Sequence, residues 1–139
     1  MEPVAKEVCK FISDSFSQTN AFGLSISGLG TFGERGNPRG IWLGLEPSMH
    51  LNDIQSRVEQ LAVALGLQPG ARGFNPHVTI ARVKGECNAS HMKRVISDYG
   101  PQIQQQVCVD EVILYKSELT PKGAMYTKYC SQNLVIRID

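Results

Sequence analysis

The chain has 139 residues, a size that suits one domain and allows most of the surface of the unfolded form to be buried. With 42% apolar residues and a net charge of +1 it belongs with ordinary globular proteins. A disordered tail or a polybasic nucleic-acid arm is excluded, so any contact with RNA has to come from a local cluster or a reactive end.

In chain order, Val4, Val8, Phe11, Ile12 and Phe16 recur at helical spacing and predict an amphipathic helix over about residues 3–17, lying on a sheet. The segments AFGLSISGLGTF and GIWLGLE alternate apolar with small or polar residues and predict a hairpin, with GERGNPRG between them as a loop. Leu51, Ile54, Val58, Leu61, Ala62 and Leu65 predict a second helix over about residues 50–65, capped by Ser48 and stopped by Gly66. A strand containing His77 follows. Met92, Val95, Ile96 and Tyr99 then mark a third helix, capped near Asn88 or Ser90 and ended by Gly100-Pro101. QVCVDEVILYKSEL and AMYTKYCSQNLVIRI flank the turn TPKG and predict a second hairpin. About five mostly antiparallel strands and three helices result, an α/β (α+β) chain. The unit strand, helix, hairpin is whole in the second half and lacks its leading strand in the first.

The N-terminal MEPVAKEVCKFIS has early acids and no continuous apolar core, and no run is long enough to cross a bilayer as a helix. A cytoplasmic protein without a membrane partner is expected. Cys9, Cys87, Cys108 and Cys130 form no CxxC pair, and in a reducing compartment they are expected to be free thiols. His50, His77 and His91 are not spaced to complete a zinc site with them, so neither metal nor cofactor is expected.

The chemistry concentrates in GFNPHVTIARVKG. On an extended strand His77 and Thr79 point one way while Val78 and Ile80 point the other, toward an expected core. A strand histidine ordinarily packs or hydrogen-bonds. This one has a hydroxyl one pleat away on the same face, and the pair can pass protons and donate to a phosphate oxygen. Arg82 has the opposite parity and joins that face only if the strand bends near Ala81. Arg35, Arg39 and Arg72 are surface cations that an RNA end would find attractive. Trp42 and Phe74 have the flat faces that stack on bases, although large aromatics beside strands are mostly core. His50 and His91 lie at predicted helix starts, where polar residues cap or meet solvent.

FNPHVTIARVKG, together with GLGTFGERGNPRGIWLGL upstream and ILYKSELTPKGAMYT downstream, resembles the 2H phosphoesterase superfamily, in particular the RNA 2',3'-cyclic phosphodiesterases once described as 2'-5' RNA ligases. The resemblance implies a two-lobed fold with pseudo-twofold symmetry. Each lobe offers one HxT strand to a central cleft, and two histidines act as acid and base without metal. His77 would be the base and Thr79 its phosphate-holding partner, with Tyr126 and Ser117 at family positions near the cleft; Tyr126 is expected to bind substrate, as are Arg82 and Phe74 on their own chemistry. Family chains begin with strands that include a first HxT, and this sequence starts past that point. Neither His50 nor His91 is followed two places later by Thr or Ser. Residues 1–139 are therefore expected to be one N-terminally incomplete domain of this kind, whether a short gene or a fragment.

Two functions are compatible with this reading. One is hydrolysis of a 2',3'-cyclic phosphate on RNA or a nucleotide, through a site completed by a second copy in a homodimer. The alternative is a non-catalytic phosphate- or RNA-end-binding remnant, because one unassisted histidine cannot be acid and base in a single step.

Overall fold

The structure, a computed structural model, describes residues 2–34, 36–68 and 73–137. Helix α1 (Glu2–Phe16) precedes the hairpin β1 (Phe22–Glu34) and β2 (Asn37–Leu45). Helix α2 (Met49–Ala64), strand β3 (His77–Arg82) and helix α3 (Ala89–Tyr99) follow. A 3-10 turn (Gly100–Gln102) leads into β4 (Gln104–Val109), β5 (Glu111–Thr120) and β6 (Gly123–Asn133). The fold is mixed α+β, with three α-helices among the described residues, as the periodicities predict. The chain divides into two compact units, one of residues 1–22, 53–70 and 108–139, the other of residues 23–52 and 71–107.

In the first unit α1 packs on the β5–β6 hairpin. Ile12 and Phe16, four residues apart on one helix face, are buried together with Phe22 and Leu134. Phe11 meets Phe16 edge to face at 6.2 Å between centroids. Arg57 of α2 lies 5.4 Å over the Phe16 ring, donates to the Ser15 carbonyl at 2.7 Å and pairs with Asp53 one turn away at 2.8 Å. The segment before β1 is tied to the end of the chain by Ala21 N–H to Val135 O and Val135 N–H to Thr19 O, both 2.8 Å.

Strands β5 and β6 pair antiparallel from Glu111 opposite Asn133 to Thr120 opposite Gly123, with one register shift between Leu114 and Tyr115. The turn is closed by Thr120, whose hydroxyl accepts from Lys122 N–H at 3.2 Å and donates to Gly123 O at 2.7 Å. Among the described residues this sheet holds two strands, and both outer edges lack a further neighbour. On β5 a hydrogen bond and the charge of Glu118, 3.0 Å away, raise Lys116 above the ordinary lysine value; both side chains are solvated.

Two sequence expectations for this unit need correction. QVCVDEVILYKSEL is not one strand: the chain breaks at Asp110 into β4 and β5, and the Asp110 carbonyl accepts instead from Leu134 N–H at 2.8 Å. That makes six strands among the described residues rather than about five. Cys9 and Cys130 are not free thiols but a disulfide joining α1 to β6, with Cα atoms 6.1 Å apart, whereas Cys87 and Cys108 are free.

The second unit is built on a four-stranded sheet ordered β3-β2-β1-β4. GERGNPRG is not a long loop. Gly33 and Gly36 take φ of +121° and +82°, conformations other residues rarely adopt, so the ladder runs on to Glu34 opposite Asn37. Both predicted caps form: Ser48 Oγ accepts from Leu51 N–H at 3.1 Å, and Asn88 Oδ1 from His91 N–H at 3.0 Å. Asn88→Ala should lower stability by about 1 kcal/mol, read as an earlier midpoint in urea with unchanged slope. No helix among the described residues is long and apolar enough to cross a membrane.

Candidate functional site

Strand β3 runs antiparallel to β2, with Gly44 opposite His77, Trp42 opposite Thr79, Ile41 opposite Ala81 and Gly40 opposite Arg82. Two residues of β2 are thus spanned by three of β3, and Ile80 is the extra one. A bulge of this kind reverses side-chain parity beyond it. Residues 40, 42 and 44 share a face of β2, so their partners His77, Thr79 and Arg82 share it too. The bend that Arg82 needs to join this face is present, one residue before Ala81. Its guanidinium sits 5.4 Å over the Phe32 ring, a cation–π contact that aims the side chain.

His77 is exposed, and its Nδ1 lies 2.7 Å from the Asn75 carbonyl oxygen. A carbonyl only accepts, so Nδ1 is the donor, and in the neutral ring Nε2 then presents its lone pair. The Trp42 ring is 6.3 Å away, tilted by 57°. Around His77 opens a cavity of about 630 Å³, whose walls include Trp42, Phe74, Asn52 and Pro76. Phe74 is 43% exposed, so it is not core. Trp42 is half-buried.

Glycines shape this face. Gly30 pairs with Trp42 and Gly40 with Phe32 across the β1–β2 ladder. A Cβ at Gly30 would fall inside the indole, and one at Gly40 inside the Phe32 ring. Each aromatic therefore lies across a backbone position that has been cleared for it.

The opposite face corrects the sequence expectation. Val78 and Ile80 are 44% and 53% exposed, not core. Among the cations, Arg39 spends its guanidinium on the carbonyls of Gly85 (3.2 Å) and Val83 (3.3 Å), a brace for the segment after β3, while Arg35 and Arg72 lie outside the described residues. His91 lies in the first turn of α3 and His50 in that of α2, the helix starts predicted for them. Tyr126 belongs to the other unit, on β6 opposite Ser117, with its ring edge-on to Tyr115 at 6.4 Å and 67% exposed. His77, Thr79, Arg82 and Phe74 are thus gathered in one unit, and Tyr126 and Ser117 are exposed residues of the other. In the sequence, Gly30 and Gly40 are marked only by the spacing of GLG and PRG against Trp42 and Phe32. Among the described residues no three His, Cys, Asp or Glu side chains converge as metal ligands would.

An imidazole with a fixed tautomer, a hydroxyl and a guanidinium on one strand face can receive a proton and hold two oxygens of a phosphate ester at once. The chain matches the model of the 2'-5' RNA ligase superfamily over residues 2–121. It is 31% identical over 126 residues to the RNA 2',3'-cyclic phosphodiesterase of Aeropyrum pernix, covering 90% of this chain and 70% of the relative. It is 34% identical over 116 residues to the RNA 2',3'-cyclic phosphodiesterase of Methanothermobacter thermautotrophicus, covering 84% of this chain and 62% of the relative. The crystal structure of Escherichia coli LigT complexed with 3'-AMP superposes with a TM-score of 0.72 at 21% identity, over 96% of this chain and 70% of that one. The chain belongs to the 2'-5' RNA ligase superfamily.

Proposed function

We propose that this chain hydrolyses 2',3'-cyclic phosphates of RNA ends or nucleotides to phosphomonoesters. The observation that carries the reading is the common face of His77, Thr79 and Arg82, with Nε2 of His77 left open by the Nδ1 bond to Asn75. In the proposed step Nε2 takes a proton from water as its oxygen bonds to phosphorus. The bond from phosphorus to one ribose oxygen breaks, and that oxygen takes a proton from a second acid. Thr79 Oγ–H and the Arg82 guanidinium hold the non-bridging oxygens, where charge builds. Phe74 offers a face to the base, and Tyr126 is assigned to substrate by the resemblance alone.

The 139 residues contain one HxT, and this reading takes the second proton-transfer group from outside them. A second copy of this chain, placing its own His77 across a twofold axis, supplies it in this proposal. The purified protein should then convert adenosine 2',3'-cyclic phosphate to adenosine monophosphate in the presence of chelator, with activity per chain falling on dilution. The single HxT also favours a second reading, a module that binds cyclic phosphate ends without turnover. Saturable binding without product at any enzyme concentration would select it. Neither binding nor product would remove both.

A further inference from the structure

We infer that Trp42 is a stacking platform for the nucleobase of the substrate, so that the site selects base-bearing phosphates over phosphate or ribose alone. This rests on the cyclic-phosphate reading of His77 and extends it to the part of the substrate that does not react. Three atoms of the indole, Cζ2, Cη2 and Cε2, crowd the position a Cβ would take on Gly30, and Cζ3 would lie 3.3 Å from a Cβ on Gly44. Three contiguous ring atoms so close to one point place the ring flat over the Gly30 backbone. One face is used up on the sheet, and Trp42, only half-buried, lines the 630 Å³ cavity beside His77 with its remaining surface. A cavity of that size suits a nucleotide-sized ligand. Its other exposed aromatic wall is Phe74, and Asn52 supplies an amide able to meet a base edge. A flat, immobilised indole binds any planar π system and carries no charge, so the occupant that fits is a base rather than a second phosphate.

Trp42 is the one tryptophan in the sequence, so its emission reports on this surface alone when excited where tyrosine does not absorb. Adenosine 2',3'-cyclic phosphate should quench it saturably, and inorganic phosphate or the base-free glycerol 1,2-cyclic phosphate should not. Loss of the indole in Trp42→Ala should weaken binding of the adenosine ligand by about five- to hundredfold, from the typical strength of one base–aromatic stack. Trp42→Phe, which keeps a ring, should recover most of that loss and guards against a misfolded Ala variant. Quenching with no hydrolysis would support the platform and count against the catalytic reading. Hydrolysis with equal KM for the base-free and adenosine substrates, or without quenching, would overturn the platform while leaving the catalytic reading intact.

Discussion

His77→Ala is expected to abolish hydrolysis of adenosine 2',3'-cyclic phosphate, the largest functional effect of any single substitution in this chain. General acid–base assistance is typically worth about 10²–10⁴-fold for each proton transfer. In a twofold site the same residue fills both roles, so one substitution removes both. Thr79→Ala and Arg82→Lys leave the proton path in place and remove contacts to oxygen, so each should cost about one to three powers of ten, chiefly in kcat. The His77→Ala protein should keep its urea midpoint, because the side chain is exposed and its ring bonds only to the nearby Asn75 carbonyl. Rates of wild type, His77→Ala and an equimolar mixture decide the matter. Activity that survives His77→Ala would remove the assignment of His77, and a mixture in which wild-type chains lose nothing would remove the twofold site.

The largest effect on stability is expected from reduction. The Cys9–Cys130 bond closes a sequence separation of 121 residues. In the chain-entropy account a loop that long restricts the unfolded ensemble by about 4–5 kcal/mol, and measured bridges more often give about 2–4. Dithiothreitol should therefore lower the thermal midpoint markedly, Cys9→Ser should do the same without reductant, and reductant should add nothing to that variant. Thiol titration of the unfolded, unreduced protein should count two free cysteines, Cys87 and Cys108. A count of four would show that the bridge does not form.

Local features of this fold were legible in the sequence and pairings at a distance were not. The caps by Ser48 and Asn88 could be read because a cap is decided within four residues. Helix bounds followed from apolar spacing to within a residue or so. The bulge at Ile80 is a property of β3 against β2, and the parity of β3 alone puts Arg82 on the wrong face. The break at Asp110 depends on a hydrogen bond from Leu134, and the disulfide on a partner in another element. The apolar alternation of Val78 and Ile80 identified a strand correctly but not the burial of that face. His77 and Thr79 were visible as a candidate pair because they are two residues apart on one strand. The tautomer of His77 needed the position of the Asn75 carbonyl, which no spacing rule supplies.

The two glycine–aromatic pairs on the β1–β2 ladder also restrict how this sequence can drift. A methyl at Gly30 or Gly40 has nowhere to go while Trp42 and Phe32 stay where they are, and a smaller side chain at 42 or 32 exposes the glycine backbone it covers. Each pair can change only as a pair, so the first substitution of either partner is the costly one and the second is compensating. Because Trp42 also lines the His77 cavity, a neutral route through that pair is closed from two sides, by the packing of the sheet and by the shape of the site.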